Sequence, residues 1–172
     1  MFEHFNTPEE IFSFKLGSAL SMERDSLDML TQLQSQAQRP ELADLLREHA
    51  DETRQQIANV EQCFQLLGEE VNDSPSPTTK GLAKEGASTI KKTDVSLVDD
   101  VVLAGALETE HYEIAVYETL VMNAEARGTK DVASLLRQNL EQEVAAAGKI
   151  KDMAQRISRE GIAYRKAPHQ ER

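Results

Sequence analysis

Apolar residues recur along this chain at alternating steps of three and four. Three of the resulting stripes are broken by a glutamate where a leucine belongs. Leu16, Leu20, Glu23, Leu27 and Leu30 form the first stripe; Leu103, Leu107, Glu110, Ile114, Tyr117 and Val121 the second; Leu136, Leu140, Glu143, Ala147 and Ile150 the third. This is the spacing of the buried seam of an amphipathic helix. An isolated carboxylate in such a seam is costly, so it must hold a proton, pair with a basic group or bind a cation. Each interruption alone has a bland explanation, a locally distorted seam or a buried Arg or Lys partner. Three together favour glutamates projecting inward from facing helices, the arrangement that builds a carboxylate-bridged dimetal site.

Breaker residues set the helix boundaries. Thr7-Pro8-Glu9-Glu10 reads as a start signal, with Thr as N-cap, Pro in the first turn and Glu closing a capping box. It predicts a first helix over about 8–36. Arg39-Pro40 ends that helix and opens a second over about 40–67, which Gly68 terminates. Residues 69–93 form a connector: 72–79 is a loop by composition, and 80–91 can hold a short helix docked through Leu82, Ala83 and Ile90. Asp94 is the expected cap of a third long helix over about 94–127, closed by Gly128. Thr129 or Asp131 starts a fourth, over about 130–158, with a frayed tail from Gly161 onward. The expectation is one all-α domain: a ferritin-like four-helix bundle of two antiparallel hairpins with a long crossover. Glu110 and Glu143 are 33 residues apart, as are Glu23 and Gln56, which suggests an approximate internal duplication.

The second helix brings its own polar layer. His49, Glu52 and Gln56 lie on one stripe, flanked by Leu42, Leu45, Leu46, Val60, Cys63 and Leu67. The expectation is that Glu23, Glu52, Glu110 and Glu143 converge, with His49 and Glu113 in or beside the metal's coordination shell. Each has a plain alternative. Glu52 can pair with a basic residue, Glu113 can face solvent, and His49 can be a satisfied core histidine. Gln56 can offer its amide oxygen or fill a place where ferritins have glutamate. His111 borders the seam and is expected to pack or hydrogen-bond rather than ligate. Tyr112 and Tyr117 read as core and interface residues, and Cys63 as a small buried hydrophobe.

Composition removes several alternatives. With a net charge of −11 and a pI near 4.8, nucleic acid is not an expected partner. One cysteine rules out an intrachain disulfide or a Cys-rich zinc site and is compatible with a reducing cytoplasm. No apolar run approaches a membrane span, and no phosphate-binding or nucleophile-elbow motif occurs. Apolar positions beyond the seams, Phe12, Phe14, Leu66 and Val98, predict a homodimer or larger assembly.

The chain resembles the YciE/YciF-type ferritin-like proteins of bacteria. The resemblance is carried by Met22-Glu23-Arg24, Pro40-Glu41-Leu42, His49-Ala50-Asp51-Glu52-Thr53 with Gln56-Ile57, Gly81-Leu82 to Glu85-Gly86, Glu110-His111-Tyr112-Glu113-Ile114-Ala115, and Leu140 to Glu143. It covers about residues 8–155, and the Glu-His-Tyr-Glu-Ile-Ala segment is its most specific part. It implies a ferritin-like bundle, often dimeric, associated with bacterial stress responses. Ferritins and rubrerythrins carry Glu-x-x-His on their second and fourth helices; here Ala146 and Asn59 stand in the histidine positions, and the second helix reads His49-x-x-Glu52. The predicted site is therefore rich in carboxylates and poor in histidine. Such donors suit two iron ions, or manganese, and ferroxidase- or peroxidase-type chemistry. The rival expectation is a non-enzymatic helical stress or scaffold protein with a metal-free, vestigial polar core.

Overall fold

The structure, a computed structural model, describes residues 4–166, with side chains through residue 161. Its described residues form five α-helices and one short 3₁₀ turn, with no strand. Helix α1 (Pro8–Gln36) opens with the expected capping box: the Glu10 N–H donates to the Thr7 hydroxyl, and the Thr7 N–H donates to the Glu10 carboxylate, each at 3.2 Å. Helix α2 (Pro40–Leu67) ends on Gly68, whose φ of 70° is left-handed and suits glycine. Helix α3 (Pro77–Ile90) occupies the connector; α4 (Val98–Ala126) and α5 (Lys130–Lys166) follow.

Three boundaries differ from expectation, each for a local reason. The connector helix begins at Pro77 rather than near residue 80, because proline is already shaped for a first turn and lacks only an N–H that would be unpaired there. Asp94 does not cap α4 directly. Its carboxylate accepts the Ser96 N–H at 2.9 Å and caps a 3₁₀ turn, Val95–Leu97, that leads into α4. Helix α5 runs through Ser158 and Gly161 to Lys166 instead of fraying. Its apolar stripe continues through Met153, Ala154 and Ile157. Glu160 reaches Arg39 at 2.8 Å and Arg156 reaches Glu41 at 3.3 Å, which fastens this end to the α1–α2 turn. The remaining tail positions, 167–172, lie outside the described residues.

Turns of three residues fold α1 against α2 and α4 against α5 as hairpins, and the hairpins meet through α2 on α5 and α1 on α4. Helix α3 packs on α4 and α1. The connector before it lies on α1 over Gly17: a Cβ there would come within 1.7 Å of Asn72 Oδ1 and 3.1 Å of the Ser74 N. Buried Asp99 at the start of α4 accepts the Gln38 N–H at 2.7 Å and so ties down the α1–α2 turn. Phe12 and Val98 are buried in the chain's own core rather than free to build an interface, while Leu66 is exposed.

The core is divided. One apolar cluster gathers Leu16, Leu20, Val60, Phe64, Leu120 and Leu136. A second gathers Leu30, Leu42, Leu46, Leu103 and Ile150. Between them, in the sequence order of every long helix, lie buried polar residues: Glu23 and Ser26 on α1, His49, Thr53, Gln56 and Asn59 on α2, Thr109, Glu110 and Glu113 on α4, Asn139 and Glu143 on α5. No helix among the described residues is long and apolar enough to cross a membrane.

Candidate metal centre

The interrupted seams meet in this middle layer. His49, Glu110, Glu113 and Glu143 each offer one ligand atom, and these four atoms all lie within 4.8 Å of one another. Helix geometry explains the convergence. Glu110 and Glu113 are one turn apart on α4 and share a face, and α2 and α5 pack against each other opposite them. His49 Nε2 lies 3.0 Å from Glu110 Oε1 and 3.6 Å from Glu143 Oε2. The Glu110 contact is close, but the ring nitrogen is not aimed along it; it is an electrostatic contact rather than a well-directed hydrogen bond.

Burial dominates the electrostatics. It pushes the Glu23 carboxyl up to about 8, against the downward pull of the Tyr117 hydrogen bond and of His49. It also raises Glu113 and Glu143 well above the ordinary carboxylate range, and the neighbouring carboxylates add to this. The Ser26 hydroxyl tempers the effect at Glu113 without forming a well-directed bond. For His49, burial alone would favour the neutral ring. Glu110 and Glu52 as partners, with the charges of Glu110 and Glu113, outweigh burial and carry the ring to about 10. A layer with several acids and one imidazole cannot ionise fully unless cations compensate.

Several of these groups stand unpartnered. Glu23 Oε2, His49 Nε2, Gln56 Oε1, Glu110 Oε2, both oxygens of Glu113 and Glu143 Oε2 are buried with no hydrogen-bond partner. Buried polar atoms are normally satisfied, so a cluster of orphans calls for an explanation. Carboxylate oxygens with one imidazole form a donor set that could hold a metal ion.

Not every expected residue is in the four-atom cluster. Glu23 is fully buried beside it, and its Oε1 accepts the Tyr117 hydroxyl. Glu52 is half-buried at the margin, with Oε2 3.3 Å from His49 Nδ1 and Oε1 3.9 Å from Lys149 Nζ. A proton on His49 Nδ1 would leave Nε2 as a lone-pair donor, the way a carboxylate commonly orients a ligand histidine. Gln56 donates its amide N–H to Glu143 Oε1 at 2.5 Å. His111 is exposed on the far side of α4, and Cys63 is buried in the first apolar cluster. Tyr117 is wholly buried against Glu23.

Sequence reasoning missed Asn139 and read Asn59 only as an absent histidine. Asn139 Nδ2 donates to the Tyr117 hydroxyl oxygen at 2.9 Å, and Asn59 Nδ2 donates to Asn139 Oδ1 at 2.7 Å. The signal was available. Asn139 falls between Leu136 and Glu143, and Asn59 between Gln56 and Cys63, at the same steps of three and four. They are polar interruptions of the seam as much as the glutamates are.

Fold and site together describe an all-α protein with a buried histidine–carboxylate cluster. Residues 7–163 match the family described as a domain of unknown function (DUF892), and the chain belongs to that family. It is 31% identical over 153 residues to Protein YciF of Escherichia coli strain K12, covering 88% of this chain and 92% of that one. Two solved structures share the architecture. YcfI of Rhodopseudomonas palustris, described as a candidate structural protein, superposes with a TM-score of 0.84 at 32% identity, over 88% of this chain and 97% of that one. The crystal structure of the E. coli stress protein YciF gives 0.82 at 28% identity in the structural alignment, over 87% and 96%.

Proposed function

We propose that this chain is a ferritin-like protein in which α1, α2, α4 and α5 form a four-helix bundle, α3 lies on the crossover, and the middle layer holds two divalent iron or manganese ions. The observation that carries this reading is the cluster of unpartnered buried donors around His49, Glu110, Glu113 and Glu143. Charge supports two ions rather than one: the four buried glutamates, Glu23, Glu110, Glu113 and Glu143, balance two divalent cations when His49 is neutral.

The ligands under this reading are Glu23, His49, Glu110, Glu113 and Glu143. Glu52 orients His49 from the margin. When bound, such a pair supplies redox chemistry toward dioxygen or peroxide, and the protein's role is ferroxidase- or peroxidase-type protection under stress. The chain's own part is to hold the donors without water, to keep His49 in the tautomer that frees Nε2, and to keep both apolar clusters dry around the layer. The test is metal quantitation on protein purified without chelator, with anomalous scattering to place the ions. Two ions per chain among these residues are expected. Metal-free protein that also takes up no added Fe(II) or Mn(II) would overturn the reading.

A second reading is a helical scaffold with a proton-filled core. It is favoured by Ala146 and Asn59 in the histidine positions and by the description of the R. palustris relative. It expects metal-free protein whose melting is indifferent to chelator. We further propose a homodimer in the cytoplasm. Exposed Ile11, Leu66 and Met122 supply apolar surface for it, and light scattering at micromolar concentration giving a monomer mass would count against it.

A further inference from the structure

The polar residues that the seams did not explain form a continuous hydrogen-bonded belt at one end of the metal layer, and every step in it donates toward a glutamate. The belt begins at exposed Gln55, whose Nε2 donates to Asn59 Oδ1 at 3.0 Å. Asn59 Nδ2 donates to Asn139 Oδ1 at 2.7 Å. Asn139 Nδ2 donates to the Tyr117 oxygen at 2.9 Å, and Tyr117 donates its only proton to Glu23 Oε1.

One contact fixes the direction of the chain. Asn139 Nδ2 also donates to the backbone carbonyl of Gln56 at 3.2 Å. A carbonyl oxygen only accepts, so turning the Asn139 amide over would set oxygen against oxygen. With the amide held, the Tyr117 oxygen must accept from Asn139 and its proton has nowhere to go but Glu23. The same Gln56 whose carbonyl holds Asn139 uses its side-chain N–H to occupy Glu143 Oε1. Two glutamates thus each have one oxygen taken by the belt and one, Oε2, without a partner.

We propose that Asn139 is a positioning residue for metal binding: through Tyr117 it fixes which oxygen of Glu23 is presented to a cation, while Gln56 does the same for Glu143. The proposal rests on the metal-site reading above. Donors aligned in one direction polarise each other, so the whole belt strengthens the last bond to Glu23. It leaves Glu113, with both oxygens free, as the acid able to offer two.

The experiment is a double-mutant cycle on Mn(II) affinity, measured by competition with a chelator, using Asn139→Leu, Tyr117→Phe and both together. Each single substitution is expected to weaken Mn(II) binding about ten- to a hundredfold, the usual range for groups that orient ligands. The double variant is expected to bind no worse than Tyr117→Phe, because Asn139 acts through Tyr117. A merely structural Asn139 would lower the melting temperature of metal-free protein and leave affinity unchanged; that result, or fully additive losses, overturns the proposal. If Asn139→Leu does not fold, Tyr117→Phe keeps the ring packing and carries the test alone, and unchanged affinity overturns it. Wild type that binds no Mn(II) sinks the metal reading and this proposal with it. Wild type that binds Mn(II), with insensitive variants, sinks only the belt.

Discussion

Glu23→Gln should stabilise the metal-free protein at neutral pH and do almost nothing in acid. Glu23 is fully buried, and its folded carboxyl titrates near 8 against 4.5 when unfolded. A group raised in the folded state contributes stability fully below its unfolded value and loses it as pH rises through the folded one. At pH 7 the folded chain keeps a proton that the unfolded chain has released. The interval from 4.5 to 7, at about 1.4 kcal/mol per unit, makes that about 3 kcal/mol. At pH 5 the same reckoning leaves less than about 1 kcal/mol. Glutamine removes the titration but keeps an oxygen for the Tyr117 hydroxyl, and its amide replaces an equally unpartnered protonated oxygen. Urea unfolding of chelator-treated wild type and variant at pH 5, 6, 7 and 8 measures the difference. The gap should widen steadily across the series, and His49, present in both, should largely cancel. Parallel stability curves would refute the claim that Glu23 is held protonated by burial.

Three further outcomes follow from the same geometry. Glu113→Leu should raise the metal-free stability by about 1–3 kcal/mol, because neither carboxyl oxygen has a partner to lose, and should weaken Fe(II) or Mn(II) binding; destabilised apo-protein in urea would contradict this. Cys63 is wholly buried with its thiol pushed up to about 12, so thiol reagents should label it only on unfolding; rapid labelling of native protein would mean that α2 opens. Gly17→Ala gains about 1 kcal/mol of helix propensity but drives a methyl into Asn72 and toward the Ser74 backbone. Proteolysis within residues 69–76 should therefore quicken and the melting temperature fall; a higher melting temperature would refute the packing account.

The four long helices were legible because their boundaries rest on local chemistry: the Thr7 capping box, Pro40, Gly68 and Gly128 act within a turn of where they stand. The ends set by tertiary contacts were not. Helix α5 passes Gly161 because Ile157 is buried and Glu160 meets Arg39, a partner far away in sequence. Ser76-Pro77 was a start signal outweighed by the loop composition around it. At the centre, Glu110 and Glu143 were readable as breaks in leucine periodicity; Glu113, one turn from Glu110, was expected in or beside the site with solvent exposure as its alternative, and it is buried. Glu52 looked equivalent to His49 on the stripe, yet the helix turns it to the margin beside Lys149. Side-chain amides are easily passed over in a helical sequence, so Asn139 went unread and Asn59 was read only as a missing histidine, even though both obey the same spacing.

The divided core makes this architecture intolerant of small changes in length. Each long helix carries its polar residues at a set distance from its apolar ends, and one inserted residue turns everything beyond it by about 100° and advances it about 1.5 Å. An insertion between Leu16 and Glu23, or between Leu136 and Glu143, would swing an acid out of the layer and a leucine into it. The largely exposed link from Lys91 to Leu97, between α3 and α4, has no such register to keep. Added or lost residues are therefore tolerable there, and a peptide tag or a second module spliced into this stretch would leave the central layer aligned.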